Sequence, residues 1–546
     1  MHCTMSNILK AGCTLSLCIF LTHGLLAQEP VQKQTIEITS SFKPHLNNAV
    51  KINLHATPLT IDTSRPRMAY YIPAQNLEFA FQPVVRKPAP LTPDTTQLWG
   101  TRNYVKAGFG SMTTPYFEGA ISSLNPEKGF VELYGDYISS RGKIKNQDMS
   151  EINARVSGSL FTGNNEAYGT FGFQNRENYL YGYDHNQFQY DKTDIRRSYR
   201  DMVLKVGFRN KDVNSVGINF DPHVELHAFS RESFVDESTL IATLPAEKTV
   251  GDNVKVKVEV LANVDGYKKK AANLQITNKL FQVSPSLEYN SDLFNIHAGF
   301  TPSWNNGESH VLPNIYGDVK LEENVFSIQG GWVGRYIANS FRTLSEMNPY
   351  MADPVFLNNT KETQFYGGIK ASAGGHFNFT AKAAYIRYND IPLFVNDNFD
   401  QKSFLLLNES KMNNFRIHGD LNYVDQDNFS VTAGLDLNNY SGLKDNTNAW
   451  GLYPLKLTGS LRWNAFQQLL VKADFAAFSG AKALLPNGSD KKLNGGTDLS
   501  LGAEFKINKM FSAWADFYNV FNDKYQYWNN YPVYGVQVLG GIIVRF

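Results

Sequence analysis

From residue 103 to the end of the chain, apolar and polar positions alternate with a period of two, and no helical period competes over comparable length. Phe429, Val431, Ala433, Leu435 and Leu437 share one face against Ser430, Thr432, Gly434, Asp436 and Asn438. Just before them Phe415, Ile417, Gly419, Leu421 and Tyr423 oppose Arg416, His418, Asp420 and Asn422, with VDQDN (424–428) as the turn. The design recurs in Leu455 to Trp463, in Leu499 to Ile507, and in Val254, Val256, Val258 and Val260 against Lys255, Lys257 and Glu259. Each segment predicts a strand with one apolar and one polar face.

The connections alternate too. Short turns such as NPEK (125–128), TGNNE (162–166), LEEN (321–324), AGGH (373–376) and NK (508–509) interleave with longer polar stretches near 179–199, 231–250, 337–362 and 480–496. Short turns at one rim and long loops at the other are the habit of membrane barrels. The fold class predicted is all-β: a transmembrane antiparallel β-barrel of about 18 to 22 strands, with an extended N-terminal arm. The segment 251–290 sets the upper figure, because GYKKKAAN (266–273) reads as a turn that adds a hairpin. A soluble sandwich or propeller would show strands of about 5 to 6 residues, and many here run longer.

Composition divides the chain into residues 1–27, 28–100 and 101–546. The first carries Lys10 as its only formal charge and the apolar run AGCTLSLCIFLT, and it reads as a signal peptide cleaved near Ala27. Cys3, Cys13 and Cys18, all the cysteines present, lie in it, which leaves the remainder without a thiol for a disulfide or a metal. Residues 28–100 hold nine of the 22 prolines and no glycine before Gly100, a composition that favours extended chain. The apolar clusters MAYYI (68–72) and LEFAF (77–81) are costly to leave in water, so this arm is expected to dock at the periplasmic mouth of the barrel.

Beyond residue 27 basic and acidic residues balance, which removes the electrostatic case for nucleic acid. No later apolar run approaches the roughly 18 residues of a membrane helix, but a barrel exposes only alternate residues to lipid and needs none.

The last 37 residues, MFSAWADFYNVFNDKYQYWNNYPVYGVQVLGGIIVRF, resemble the C-terminus of TonB-dependent receptors of Gram-negative outer membranes. Asn519, Val520, Phe521, Asn522 and Tyr525 match that family's N-[LV]-F-[ND]-x-x-Y pattern, and the final strand ends on an aromatic residue. The resemblance implies that Tyr534, Val536, Val538, Ile542, Val544 and Phe546 form the insertion signal read by the barrel-assembly machinery. It implies a place in the cell outer membrane, with outer-membrane lipid as surroundings. QTIEITSS (34–41) looks like a TonB box, centred on Thr35, Ile36, Glu37, Ile38 and Thr39; the other reading is an apolar patch in the arm. TonB or other outer-membrane and periplasmic proteins are the partners implied. The stretch from 42 to 98 is too short for the family's globular plug, so the likeness is to plug-less, receptor-like barrels of the Bacteroidetes.

Catalysis has little support. His223, Glu225 and His227 share a strand face, but about 13 Å separates the two histidines, too far to share one metal. His418 with Asp420 lacks an identifiable nucleophile. Neither a catalytic residue nor a cofactor is expected. Tyr179, Tyr181, Tyr183 and Tyr190, interleaved with Asp and Asn, form either a ligand loop that stacks on sugars or peptides or part of an interfacial aromatic belt. Tyr525, Tyr527, Trp528 and Tyr531 read as belt. The function expected is a receptor or transport barrel, with a scaffold or binding subunit of a multi-protein outer-membrane complex and a passive porin as alternatives.

Overall fold

The computed structural model describes residues 39–41, 78–80 and 103–546, apart from 126–127, 233, 323–324, 374–375 and 426–427. The expected signal peptide, its cleavage point, Thr35 to Ile38 and most of the arm lie outside the described residues. Within the arm, Thr39–Ser41 pairs in parallel with Glu78–Ala80.

The rest is built around one closed sheet. Its strands are β1 (Tyr104–Gly110), β2 (Thr114–Asn125), β3 (Gly129–Arg141), β4 (Asp148–Thr162), β5 (Asn165–Tyr179), β6 (Arg196–Asn210) and β7 (His223–Arg231). There follow β8 (Val235–Val250), β9 (Val254–Lys269), β10 (Leu274–Asn290), β11 (Phe294–Asn305), β12 (Glu308–Glu322), β13 (Phe326–Ile337), β14 (Thr360–Ala373) and β15 (Phe377–Asn389). The series ends with β16 (Met412–Asp425), β17 (Phe429–Ser441), β18 (Leu455–Phe466), β19 (Leu469–Phe478), β20 (Gly496–Lys506), β21 (Phe511–Tyr518) and β22 (Gln537–Arg545). Neighbours pair antiparallel, and β22 returns to β1 in the register Tyr104↔Arg545 to Gly110↔Leu539, closing a 22-strand barrel.

The count falls at the top of the expected range because 251–290 does form a hairpin that turns after Lys269. One expectation is corrected. Residues 231–250, read as a long loop, are mostly β8. Pro245 obscured the strand, since proline has no ladder donor. It is tolerated where the neighbouring ladder breaks: β7 pairs with β8 only as far as Thr243, a three-residue strand (Ile218–Phe220) pairs from Ala246, and Pro245 lies between. Its carbonyl accepts from the Asp221 N–H at 3.3 Å, so its missing N–H faces the gap.

Each strand puts its apolar set outward. Phe109, Leu160, Val311 and Phe365 are all more than 60% exposed, which in lipid is the favoured state. At the short-turn rim the outward aromatics form a girdle, with Phe377 and Phe429 both against Tyr423 at 4.5 and 5.8 Å. The lumen wall is polar and ion-paired, with Arg462 on Asp474 at 3.3 Å and Arg545 on Glu504 at 2.6 Å. Phe546 ends the chain at the short-turn rim, its N–H donating to the Asn103 carbonyl at 3.0 Å.

Candidate functional site

All the long connections leave the opposite rim: 180–195, 338–359, 390–411, 442–454, 479–495 and 519–536. Each supplies its own short order. A helix, α1 (Phe341–Met347), starts the second loop, with Ser340 Oγ accepting from the Thr343 N–H. A hairpin of Ile391–Asn396 against Phe404–Glu409 occupies the third. The aromatics and asparagines of these loops then pack on one another rather than standing apart.

The contacts run across the mouth. With strands about 4.8 Å apart and tilted about 40°, a 22-strand barrel is about 45 Å wide between Cα positions on opposite sides. Loops 180–195 and 390–411 are rooted ten strands apart, almost diametrically. Even so, Tyr190 Oη donates to the Asp400 carbonyl at 3.3 Å, and Lys402 Nζ lies 4.0 Å over the Tyr190 ring. Loop 519–536 joins them: Tyr531 stacks on Tyr350 at 3.7 Å, meets Tyr181 edge-on at 4.9 Å and donates its hydroxyl to the Lys402 carbonyl. Trp528 packs edge-on to Phe394 at 5.3 Å and against Phe404 at 5.4 Å, and Asn529 Nδ2 donates to Asn396 Oδ1 at 3.0 Å. Strand roots that far apart can be joined this way only over the opening. The loops form one cap.

The cap is fastened to the lumen wall beneath α1. Glu237 of β8 accepts the Phe341 and Arg342 N–H groups at 2.6 and 2.9 Å, which supplies acceptors for a helix end that would otherwise lack them. Arg231 of β7 makes a bidentate pair with Asp353 at 2.7 and 2.6 Å. Tyr199 and Tyr267 donate to the Pro349 and Pro354 carbonyls at 2.8 and 3.0 Å. Burial works against charge on Arg342, but the carboxylates of Glu346, Asp201, Glu237 and Glu225 outweigh it and raise its pKa above the ordinary value.

A second fastening ties the hairpin to loop 442–454. The buried Glu409 carboxylate accepts the N–H groups of Lys444, Asn446 and Asp445 at 2.7, 2.8 and 3.1 Å. Burial alone would raise its pKa; the hydrogen bonds from Lys444, Asn446 and Asp445 win and hold it below the usual carboxylate value. Burial pushes the Tyr350 and Tyr531 hydroxyls well up, so both stay neutral.

The sequence-predicted residues fall into place unevenly. Tyr179, Tyr181 and Tyr183 are buried and Tyr190 is half-buried, all four within the cap. The belt reading of Tyr525, Tyr527, Trp528 and Tyr531 is corrected: all four are buried or half-buried against other loops, not turned to lipid. His227 is held between Asp201 Oδ2 at 3.1 Å and Glu225 Oε1 at 2.7 Å, and His418 between Asp436 at 2.8 Å and Asp420 at 2.5 Å. Both imidazoles are held by hydrogen bonds to lumen-wall carboxylates, and among the described residues no group of three ligating side chains could hold a metal. Val538, Ile542, Val544 and Phe546 lie on the outer face of the last strand, whereas Tyr534 precedes it and donates to the Gln147 carbonyl at 2.9 Å. Thr39 alone of the TonB-box-like residues is described. Sequence reasoning missed Glu237, Glu409 and the Arg231–Asp353 pair, whose partners lie 35 to 122 residues away.

No family description matches the sequence, and no curated protein does. Solved structures match in fold. The FrpB iron transporter from Neisseria meningitidis aligns with a TM-score of 0.62 at 11% identity, covering 81% of each chain. The copper transporter OprC aligns at 0.60 and 12% identity, over 82% of this chain and 83% of its own. The siderophore receptor PirA from Pseudomonas aeruginosa aligns at 0.57 and 12%, over 81% and 80%. At these identities the likeness is one of architecture: the chain has the 22-strand barrel fold of the TonB-dependent receptors that its C-terminal segment resembles.

Proposed function

We propose that the chain is an outer-membrane receptor or transporter that admits a solute through its polar lumen, with the loop cap as the gate and recognition surface on the outer side. The observation that carries this reading is the meeting of loops rooted far apart around the rim, Tyr190 on Asp400 from ten strands away and Tyr531 on Tyr350 from eight. A passive porin needs a mouth that stands open, which such a cap denies it. The solved structures that share the fold are named as transporters and receptors, which supports the same class and gives no support to an enzyme.

In this reading Tyr179, Tyr181, Tyr183 and Tyr190 act on a ligand through the cap they brace. The segment from Thr35 to Thr39 couples the barrel to an inner-membrane energy source by adding as a strand to TonB. The proline-rich arm, in place of a full globular plug, docks at the periplasmic mouth. Ile36→Pro removes strand geometry and a ladder donor at once, so uptake is expected to vanish in that variant; undiminished uptake would remove the coupling. A second reading, a binding subunit of a larger assembly, is favoured by Phe399, 94% exposed at the tip of the cap hairpin. Stoichiometric co-purification of a partner, lost in Phe399→Ser, would select it.

A further inference from the structure

We propose that the outer face of β5 and β6, just below the long-loop rim, is a binding site for a phosphorylated lipid of the surrounding outer leaflet. The strands leave a concavity of about 490 Å³ there, open to the membrane side. Its lower part is apolar, formed by Phe173 and Met202, and continues into Phe171 and Leu204, 50% and 42% exposed in the lipid band. Its upper part is polar, formed by Asn175, Glu177, Arg196, Ser198 and Arg200. Registers Ile152↔Asn175 and Asn175↔Arg200 put Ile152, Asn175 and Arg200 side by side at one level, with Glu177↔Ser198 one step above.

The charges at this edge are unequally engaged. Arg196 is paired with Glu232 at 3.1 Å, and Glu177 accepts the Tyr179 hydroxyl at 2.6 Å. Arg200 is exposed and, among the described residues, its guanidinium has neither a hydrogen-bond nor an ion-pair partner. An unpaired guanidinium at the upper boundary of an apolar band meets lipid headgroups, and its planar fork matches a phosphate bidentately. Asn175 Nδ2 adds a donor beside it, with the Asn175 Oδ1 accepting from the Ser198 hydroxyl at 3.4 Å. The apolar floor then takes the acyl chains of the same molecule, which is why a lipid rather than a free anion fits the whole concavity.

The inference rests on the outer-membrane reading above, but its test reads lipid retention by the purified barrel and is indifferent to transport, so the two can fail separately. The full-length protein in detergent is titrated with bis-phosphorylated lipid A, with the same lipid dephosphorylated, and with inorganic phosphate, and bound species are counted by native mass spectrometry. Retention of the phosphorylated lipid is expected to exceed that of the dephosphorylated one by about tenfold, the strength of one charge-assisted bidentate contact. Arg200→Ala should abolish that preference while Arg387→Ala, an outward arginine on β15, should not; heat-modifiable mobility on gels verifies that both barrels are folded. Equal retention of the two lipids, an unchanged preference in Arg200→Ala, or an equal loss in Arg387→Ala would overturn the proposal. So would displacement of the lipid by millimolar inorganic phosphate, which would mark a free-anion site.

Discussion

Single side chains set the cap's stability through groups that have no second choice of partner. The Arg231–Asp353 pair is bidentate, and the Arg231 side chain is only 6% exposed. Truncating one member leaves the other buried without its counter-charge, at a cost of about 3 kcal/mol. Arg231→Ala is therefore expected to lower hydrogen-exchange protection of residues 338–359 by about a hundredfold while leaving the barrel strands unchanged. Glu409 gives a pH dependence. Its folded pKa lies below the unfolded value of about 4.3, so its contribution is fully present above that value and is lost as pH falls through the lower folded value. Protection of the amides at 444–446, corrected for intrinsic rates, should collapse in that acidic window, and in Glu409→Ala it should be weak at every pH. None of these pairings was legible in the sequence: Asp353 and Glu409 are ordinary acids in polar stretches, and their roles come from chain segments brought near by closure of the barrel.

At the level of strands and turns the sequence was far more informative, because a period of two with one apolar face is both the strand's own signature and the condition for facing lipid. β16 to β18 lie where the alternation puts them, and the Asn306–Gly307 turn, with φ of 50° and 94°, is the two-residue hairpin that asparagine and glycine favour. β8 escaped because Pro245 and inward-facing Glu237 and Glu247 look like loop until the break in the adjacent ladder is known. The hairpin 391–409 escaped because it packs on the cap and not in the sheet, so its pattern of burial has no period. The seam between β1 and β22 supplies an element-scale prediction. A Cβ at Gly541 would lie 1.9 Å from the Ala107 carbonyl oxygen, and backbone there cannot yield without opening the seam. Gly541→Val should therefore abolish the heat-modifiable band of the folded barrel, as should deletion of Phe546, whereas Gly367→Ala, with open space around it, should assemble normally.

For the molecule as a whole, the polar lumen and the cap together make a vessel spanned by loops at its long-loop rim. The arm from 28 to 100, read from its prolines and apolar clusters, is proposed to obstruct the other mouth, so the intact protein should conduct poorly in planar bilayers. Removing the arm and replacing 180–195 and 338–359 with short turns should give a wide, weakly selective channel, because the chain's charges balance. The cap's convergence was not readable beforehand, since nothing in a loop's sequence states which distant loop it meets. That convergence is the central claim, and a distance measurement tests it most directly. The chain beyond residue 27 has no cysteine, so spin labels can be placed at Gln187→Cys and Phe399→Cys without background and the separation read by pulsed dipolar spectroscopy. The roots of these two loops lie about 45 Å apart. A cap in which Tyr190 touches Asp400 predicts one narrow distance distribution well below that span; a broad distribution centred near 45 Å would show loops standing apart around an open mouth and would contradict the account.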